Sequence, residues 1–266
     1  MSEAAPATPV PSATILMLRQ TEDGLEVFMV VRHHQIDFAS GALVFPGGKA
    51  DAQDFDDALL PYLTGQADDA NMRAIQVCAI REAFEECGIL LAYDHKDGIG
   101  DMVKADRLRE LDHYREPLND GSQPLLDFLR DEQLVLACDQ LVHYAHWVTP
   151  EMMPKRFDTH FYLAAAPSDH LAVHDGYESV DSVWLTPEEA IADAQSGSRT
   201  VIFPTLCQIE KLSQYEDVSA AIAGAESSEI VPVLPWTERR EDGNYICIPT
   251  EAGYPVSAQK MPERGV

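Results

Sequence analysis

The sequence predicts an α+β fold, a mixed sheet layered with helices. β-rich runs stand before, between and after helix-patterned stretches. They do so without the regular βαβ alternation of a doubly wound sheet. At 266 residues the chain can bury a substantial core, as one elaborated domain or two small ones.

The elements follow in order. ATILMLRQ and LEVFMVVRH, parted by TEDG, predict a hairpin, and ALVF a third short strand ended by PGG. Residues 69–88 carry Met72, Ile75, Cys78 or Ala79, Ala83 and Phe84 at helical spacing, with Asp69 or Asn71 as N-cap and Gly88 at C′. Residues 102–137 predict two helices, the second running through PLLDFLRDEQLVL. LVHYAHWVTP and RFDTHFYLAAA predict strands. SVDSVWLTPEEAIADAQSG predicts a strand leading into a helix, with Thr186 at the N-cap and Glu189 closing a capping box. PTLCQIEKLSQY predicts an amphipathic helix, and EIVPVLPW and NYICIP short C-terminal strands.

The net charge of −26 argues against general binding to nucleic acid or to an anionic membrane, which need a basic surface. A phosphate-bearing ligand would need local cations. The five cysteines are scattered and no CxxC occurs, which suits free thiols in a reducing cytoplasm. MSEAAPATPVPSA has no basic n-region, so residues 1–12 predict a flexible lead-in and not a signal peptide. No apolar run reaches the roughly 18 residues of a spanning helix.

Glu82, Glu85 and Glu86 crowd one helix face, where like charges three and four residues apart repel. One reading is a solvated acidic surface. The other is a hard-cation site, since oxygen donors select Mg²⁺, Mn²⁺ or Ca²⁺. Upstream, the glycines of Phe45-Pro46-Gly47-Gly48 permit close backbone approach.

FPGG followed by Arg81-Glu82-Ala83-Phe84-Glu85-Glu86-Cys87-Gly88-Ile89 resembles the box of the Nudix hydrolases, G-x5-E-x7-R-E-U-x-E-E-x-G-U, where U is a bulky aliphatic residue. Two departures stand out. Gly48 and Arg81 are 33 positions apart where the pattern needs 14, about 19 extra residues, which predicts an insertion over about 51–67. Eight positions before Arg81 stands Arg73 instead of the pattern's Glu, with Asp51 and Asp54 as nearby acids. An interrupted box resembles the branch of the peroxisomal coenzyme A diphosphatase and its bacterial relatives. HWVTPEMMPKRFDTHFYLA, VWLTPEEAI and FPTLCQIEKL resemble that branch too.

The resemblance implies an α/β/α sandwich with a mixed sheet over residues 13–215, a helical insertion at about 102–137, and a C-terminal extension over 216–266 packed on it. It implies hydrolysis of a nucleoside diphosphate linked to another moiety, coenzyme A or an acyl-coenzyme A first. The alternatives are an ADP-ribose- or NADH-type dinucleotide pyrophosphatase and a non-catalytic nucleotide-binding sensor. It implies Mg²⁺ or Mn²⁺ held by Glu82, Glu85 and Glu86 with a carbonyl of Gly47 or Gly48, Arg81 orienting Glu85, and Glu178 as a candidate base. Arg32, Lys49, Lys155 and Arg156 are candidate substrate contacts; for Arg156 an ion pair with Asp158 is the other reading. Asp37 stands where another coenzyme A-cleaving branch has Arg, which weakens coenzyme A as substrate. The expected partner is a small molecule, with a homodimer open on general grounds.

Other features are discounted. His143 and His146, three apart on a strand, are expected on opposite faces and not on one metal. Trp147 and Trp184 are expected in the core, and the acidic insertion as a solvated loop.

Overall fold

The computed structural model describes residues 6–32, 41–96, 100–167 and 179–261. β1 (Val10–Thr21) and β2 (Gly24–Arg32) form the expected hairpin, Leu18 opposite Val27. Beyond that short ladder the two strands part. β3 (Leu43–Val44) pairs with β2 on one side of the wedge, and β4 (Gly47–Lys49) with β1 on the other. FPGG is thereby stitched into the middle of the sheet, and Pro46 O accepts the Ile15 N–H.

Two 3-10 turns (Ala52–Phe55 and Asp57–Tyr62) and β5 (Leu63–Thr64) lead to α1 (Ala70–Cys87). Asp69 caps α1 by accepting the N–H groups of Asn71 and Met72, and Gly88 closes it in the left-handed region at φ 66°. Then come β6 (Ala92–Asp94), β7 (Asp101–Met102), α2 (Ala105–Leu111), α3 (Arg115–Asn119) and α4 (Leu125–Glu132). The helix expected to run through Leu136 stops sooner. Gln133 takes φ 57°, and the alternating tail becomes β8 (Leu134–Ala137), paired with β5 and β6.

β9 (Val142–Val148), β10 (Phe157–Ala165) and β11 (Ser179–Leu185) complete the main sheet in the order β11-β2-β1-β10-β9. β1 and β10 run parallel while the other pairs are antiparallel, which makes the sheet mixed. α5 (Pro187–Ser196) starts on the expected Thr186–Glu189 capping box, followed by α6 (Phe203–Leu212) and α7 (Val218–Glu226). The tail forms β12 (Trp236–Arg240), β13 (Gly243–Cys247) and β14 (Ala258–Lys260). EIVPVLPW is not a strand as expected: before Trp236 it contributes one bridge, Val233 to Trp147.

The sheet is covered on both faces, so β1 reads as a nearly unbroken apolar run. Ala13, Ile15 and Met17 pack with Ile80, Phe84 and the smaller β5–β8–β6–β7 sheet. Leu16 and Leu18 pack with Cys207 and Leu212 of α6 and Ala221 of α7. This is the α+β, α/β/α layering expected. Two boundaries differ in detail. Val10–Ser12 of the expected lead-in already belong to β1, and the expected surface loop supplies Leu59 and Leu63 to the core.

Candidate active site

α1 is buried nearly all round, and its four charged box residues enter the protein with it. Arg81 is 4% exposed, Glu85 4% and Glu86 6%. Burial of like charges is costly unless each is paired, so their partners decide the site. Arg81 is the hub. Its Nη1 donates to Glu85 Oε2 at 2.9 Å and Glu82 Oε1 at 3.0 Å, and its Nη2 to the Lys49 carbonyl at 3.0 Å. Nε and Nη2 grip both oxygens of Asp54 at 2.9 Å, the bidentate pairing that guanidinium favours. Asp54 is 2% exposed and sits in a turn where it also accepts the Asp51 N–H.

Asp54 corrects the reading at position 73. Arg73 lies on the outer side of α1, bonded to Asp57. The box's first acid is found by counting forward from Gly48, since five residues separate Gly48 from Asp54 as the pattern asks. The extra residues therefore fall between Asp54 and Arg81, and counting backward from Arg81 crosses them. The spacing from Gly48 was the available signal.

The remaining carboxylates face FPGG. Glu86 Oε2 accepts the Gly47 N–H at 3.0 Å. A Cβ on Gly48 would meet Glu82 Oε1 at 2.4 Å, and one on Gly47 would meet the Ala13 carbonyl at 2.3 Å. Glycine at 48 thus lets the turn touch Glu82, and glycine at 47 lets it lie against β1. Glu85 Oε1 is buried without a hydrogen-bond partner. Burial, with the Glu82 charge, pushes the Glu85 carboxyl up to about 8 against the pull of Arg81. An orphaned oxygen among surplus carboxylates fits a bound divalent cation, held by Glu82, Glu85 and Glu86.

A cleft of about 630 Å³ opens from this cluster. Its charged end carries Asp51, Glu82, Glu86 and Lys49, and its far wall is apolar, with Trp147, Phe157, Phe161, Ile202 and Pro204. Among the described residues that line it, Lys49 is the only cation. Trp147 is in the core as expected, 4% exposed, yet it borders the cleft, and its indole N–H donates to Tyr254 Oη at 2.7 Å. Trp184 packs at 5.2 Å on Phe28.

Two of the other sequence candidates, Arg156 and Lys155, do not line the cleft. Arg156 neither pairs with Asp158 nor faces the cleft; Nε donates to Thr149 O and Nη1 to Ala7 O, both at 2.9 Å. Lys155 is exposed in the turn before β10. Arg32 ends β2 opposite Ser179. Asp37 and Glu178 lie outside the described residues.

The chain is similar to known proteins along most of its length. The model of the NUDT19 Nudix domain matches residues 67–212. An acyl-coenzyme A diphosphatase NUDT19 of Xenopus laevis is 23% identical over 271 residues, covering 86% of this chain and 71% of that protein. A putative nudix hydrolase 7 of Caenorhabditis elegans is 26% identical over 193 residues, covering 72% of this chain and 57% of that protein. In three dimensions the crystal structure of a Nudix hydrolase from Alicyclobacillus acidocaldarius superposes with a TM-score of 0.72 at 25% identity, covering 84% of this chain and 99% of that one. With more than half of the residues inside the matched domain and the box glutamates gathered against FPGG, the chain belongs to the Nudix hydrolases, in the NUDT19 Nudix-domain family.

Proposed function

We propose that this Nudix pyrophosphohydrolase cleaves the diphosphate of coenzyme A or an acyl-coenzyme A. The observation that carries the reading is the two-ended cleft. A carboxylate ridge lies where the diphosphate would sit, and the apolar wall beyond it suits a pantetheine or acyl arm better than a second nucleoside. The relatives named acyl-coenzyme A diphosphatase support the same substrate class.

Glu82, Glu85 and Glu86 are the proposed metal ligands, with the Gly48 carbonyl beside them. Their hard oxygen donors suit Mg²⁺ or Mn²⁺. When bound, such a cation neutralises phosphate oxygens and lowers the pKa of a bound water. Arg81 does not reach the cleft. It fixes the rotamers of Glu82 and Glu85 and is itself fixed by Asp54. Gly47 N–H orients Glu86. Lys49, which lines the cleft, is a proposed phosphate contact, with Arg32 a further one. Glu178, in the stretch before β11, remains the proposed base.

The −26 charge of the chain repels a free diphosphate, so substrate capture depends on these local cations. Five buried free thiols accord with a reducing, cytoplasmic setting. No helix of the described residues is long and apolar enough to cross a membrane.

The test is a panel of coenzyme A, an acyl-coenzyme A, ADP-ribose, NADH and a nucleoside triphosphate, with Mg²⁺ or Mn²⁺ and products identified by mass. The expected products are 3′,5′-ADP and 4′-phosphopantetheine or its acyl form. Turnover of ADP-ribose or NADH alone would move the substrate. Tight binding with no turnover would make the protein a sensor.

A further inference from the structure

A second cluster of ligating side chains lies outside the catalytic cleft. The strands β9 and β10 pair with His160 opposite His146 and Asp158 opposite Val148. Trp147, Thr159 and Phe161 line the cleft. Side chains alternate along a strand, so His146, Asp158 and His160 project from the reverse face.

The sequence argument placed His143 and His146 on opposite faces, and a bulge overturns it. Phe161 pairs with Ala145 but Tyr162 pairs with His143, so Tyr144 is an extra residue in β9. Tyr144 and Ala145 consecutively enter the same core. His143 is thereby returned to the face of His146, and its Nε2 lies 3.0 Å from His160 Nδ1.

We propose that His146, Asp158 and His160 form a second metal site, for a Zn²⁺-class cation, that straps β9 to β10 behind the cleft wall. One ligand atom from each residue lies within 4.8 Å of the other two. His146 Nε2 and Asp158 Oδ1 are hydrogen-bonded at 2.5 Å, a contact that a shared ion would replace. Two imidazoles and one carboxylate are a borderline donor set that selects Zn²⁺ and its neighbours, not Mg²⁺. Three protein ligands leave a coordination position open. His143 acts as the outer partner that orients the His160 ring.

All three side chains are half-buried, screened from bulk water yet reachable. The donor chemistry also separates this site from the all-oxygen one. An ion here would stiffen the two strands whose other faces carry Trp147, Thr159 and Phe161.

The test uses the full chain stripped with a chelator, titrated calorimetrically with ZnCl₂ in millimolar Mg²⁺. Co²⁺ is the spectroscopic probe, through its visible d–d bands. The expected result is one Zn²⁺ equivalent that survives in Glu86→Gln and weakens by roughly tenfold or more in His146→Ala or His160→Ala. The Co²⁺ bands should vanish in the same variants. Asp158→Asn, whose side chain is 40% exposed, tests the ligand set again should a histidine variant fail to fold. The proposal is overturned if Zn²⁺ does not bind, if these variants bind it as wild type does, or if Glu86→Gln alone abolishes binding.

Discussion

At the scale of single residues, Arg81 concentrates the energetics of the site. It is bonded to three buried or half-buried carboxylates, those of Asp54, Glu82 and Glu85. Burial alone would disfavour its charge, but the bonds to Asp54 and the fields of Asp54, Glu82 and Glu85 raise its pKa further and keep it protonated. Removing one member of a buried ionic network strands the others. Arg81→Ala is therefore expected to cost about 3–5 kcal/mol in chemical denaturation, where a surface pair costs under about 1 kcal/mol. A loss as small as a surface pair's would show that water already screens the cluster. The box glutamates were legible in the sequence because a helix keeps contiguous residues together. Asp54 was harder to find, because its spacing is preserved only on the Gly48 side of the extra residues.

At the scale of elements, residues 51–67 are structural and not the solvated loop their acidity suggests. Asp56 caps the second 3-10 turn, and Leu59 is 1% exposed against the α1 side of the core. Leu63 opens β5, which pairs in parallel with β8. Excision of 51–67 would remove Asp54, Leu59 and Leu63 together. The deletion is expected to abolish cooperative thermal unfolding, and Leu59→Ala alone to cost about 2–5 kcal/mol. A deletion variant that unfolds cooperatively at the wild-type temperature would return the segment to the surface. The hairpin, the Asp69 and Thr186 caps and the Gly88 stop were all readable, because local chemistry fixes each. The β9 bulge and the stop at Gln133 were not. Both are set by what neighbouring strands require, and neither leaves a Gly or Pro in the sequence.

At the scale of the whole molecule, the apolar content of an acidic chain is gathered on both faces of one sheet. The tail takes part. Ile248 is buried with α6 and α7, and Tyr254 receives the Trp147 indole N–H. The thiols report on this layering. All five cysteines are free and buried, and burial raises Cys78, Cys138 and Cys207 above the usual thiol range. Raised pKa and lost access both slow alkylation. The native protein is expected to leave its cysteines essentially unmodified by an aromatic disulfide reagent, and to react at all five once denatured. Rapid native labelling of Cys78 would mean that the α1–β4 junction opens.

The central claim is that the α1 carboxylates hold the cation on which diphosphate cleavage depends. Hydrolysis of coenzyme A by wild type and Glu86→Gln, followed by mass across a Mn²⁺ titration, tests it most directly. The account predicts metal-dependent release of 3′,5′-ADP by wild type. It predicts a loss of roughly a hundredfold or more in Glu86→Gln, at least what outer-sphere partners of a metal command, with the unfolding temperature kept. Wild-type turnover in Glu86→Gln at the same Mn²⁺ concentration would contradict it.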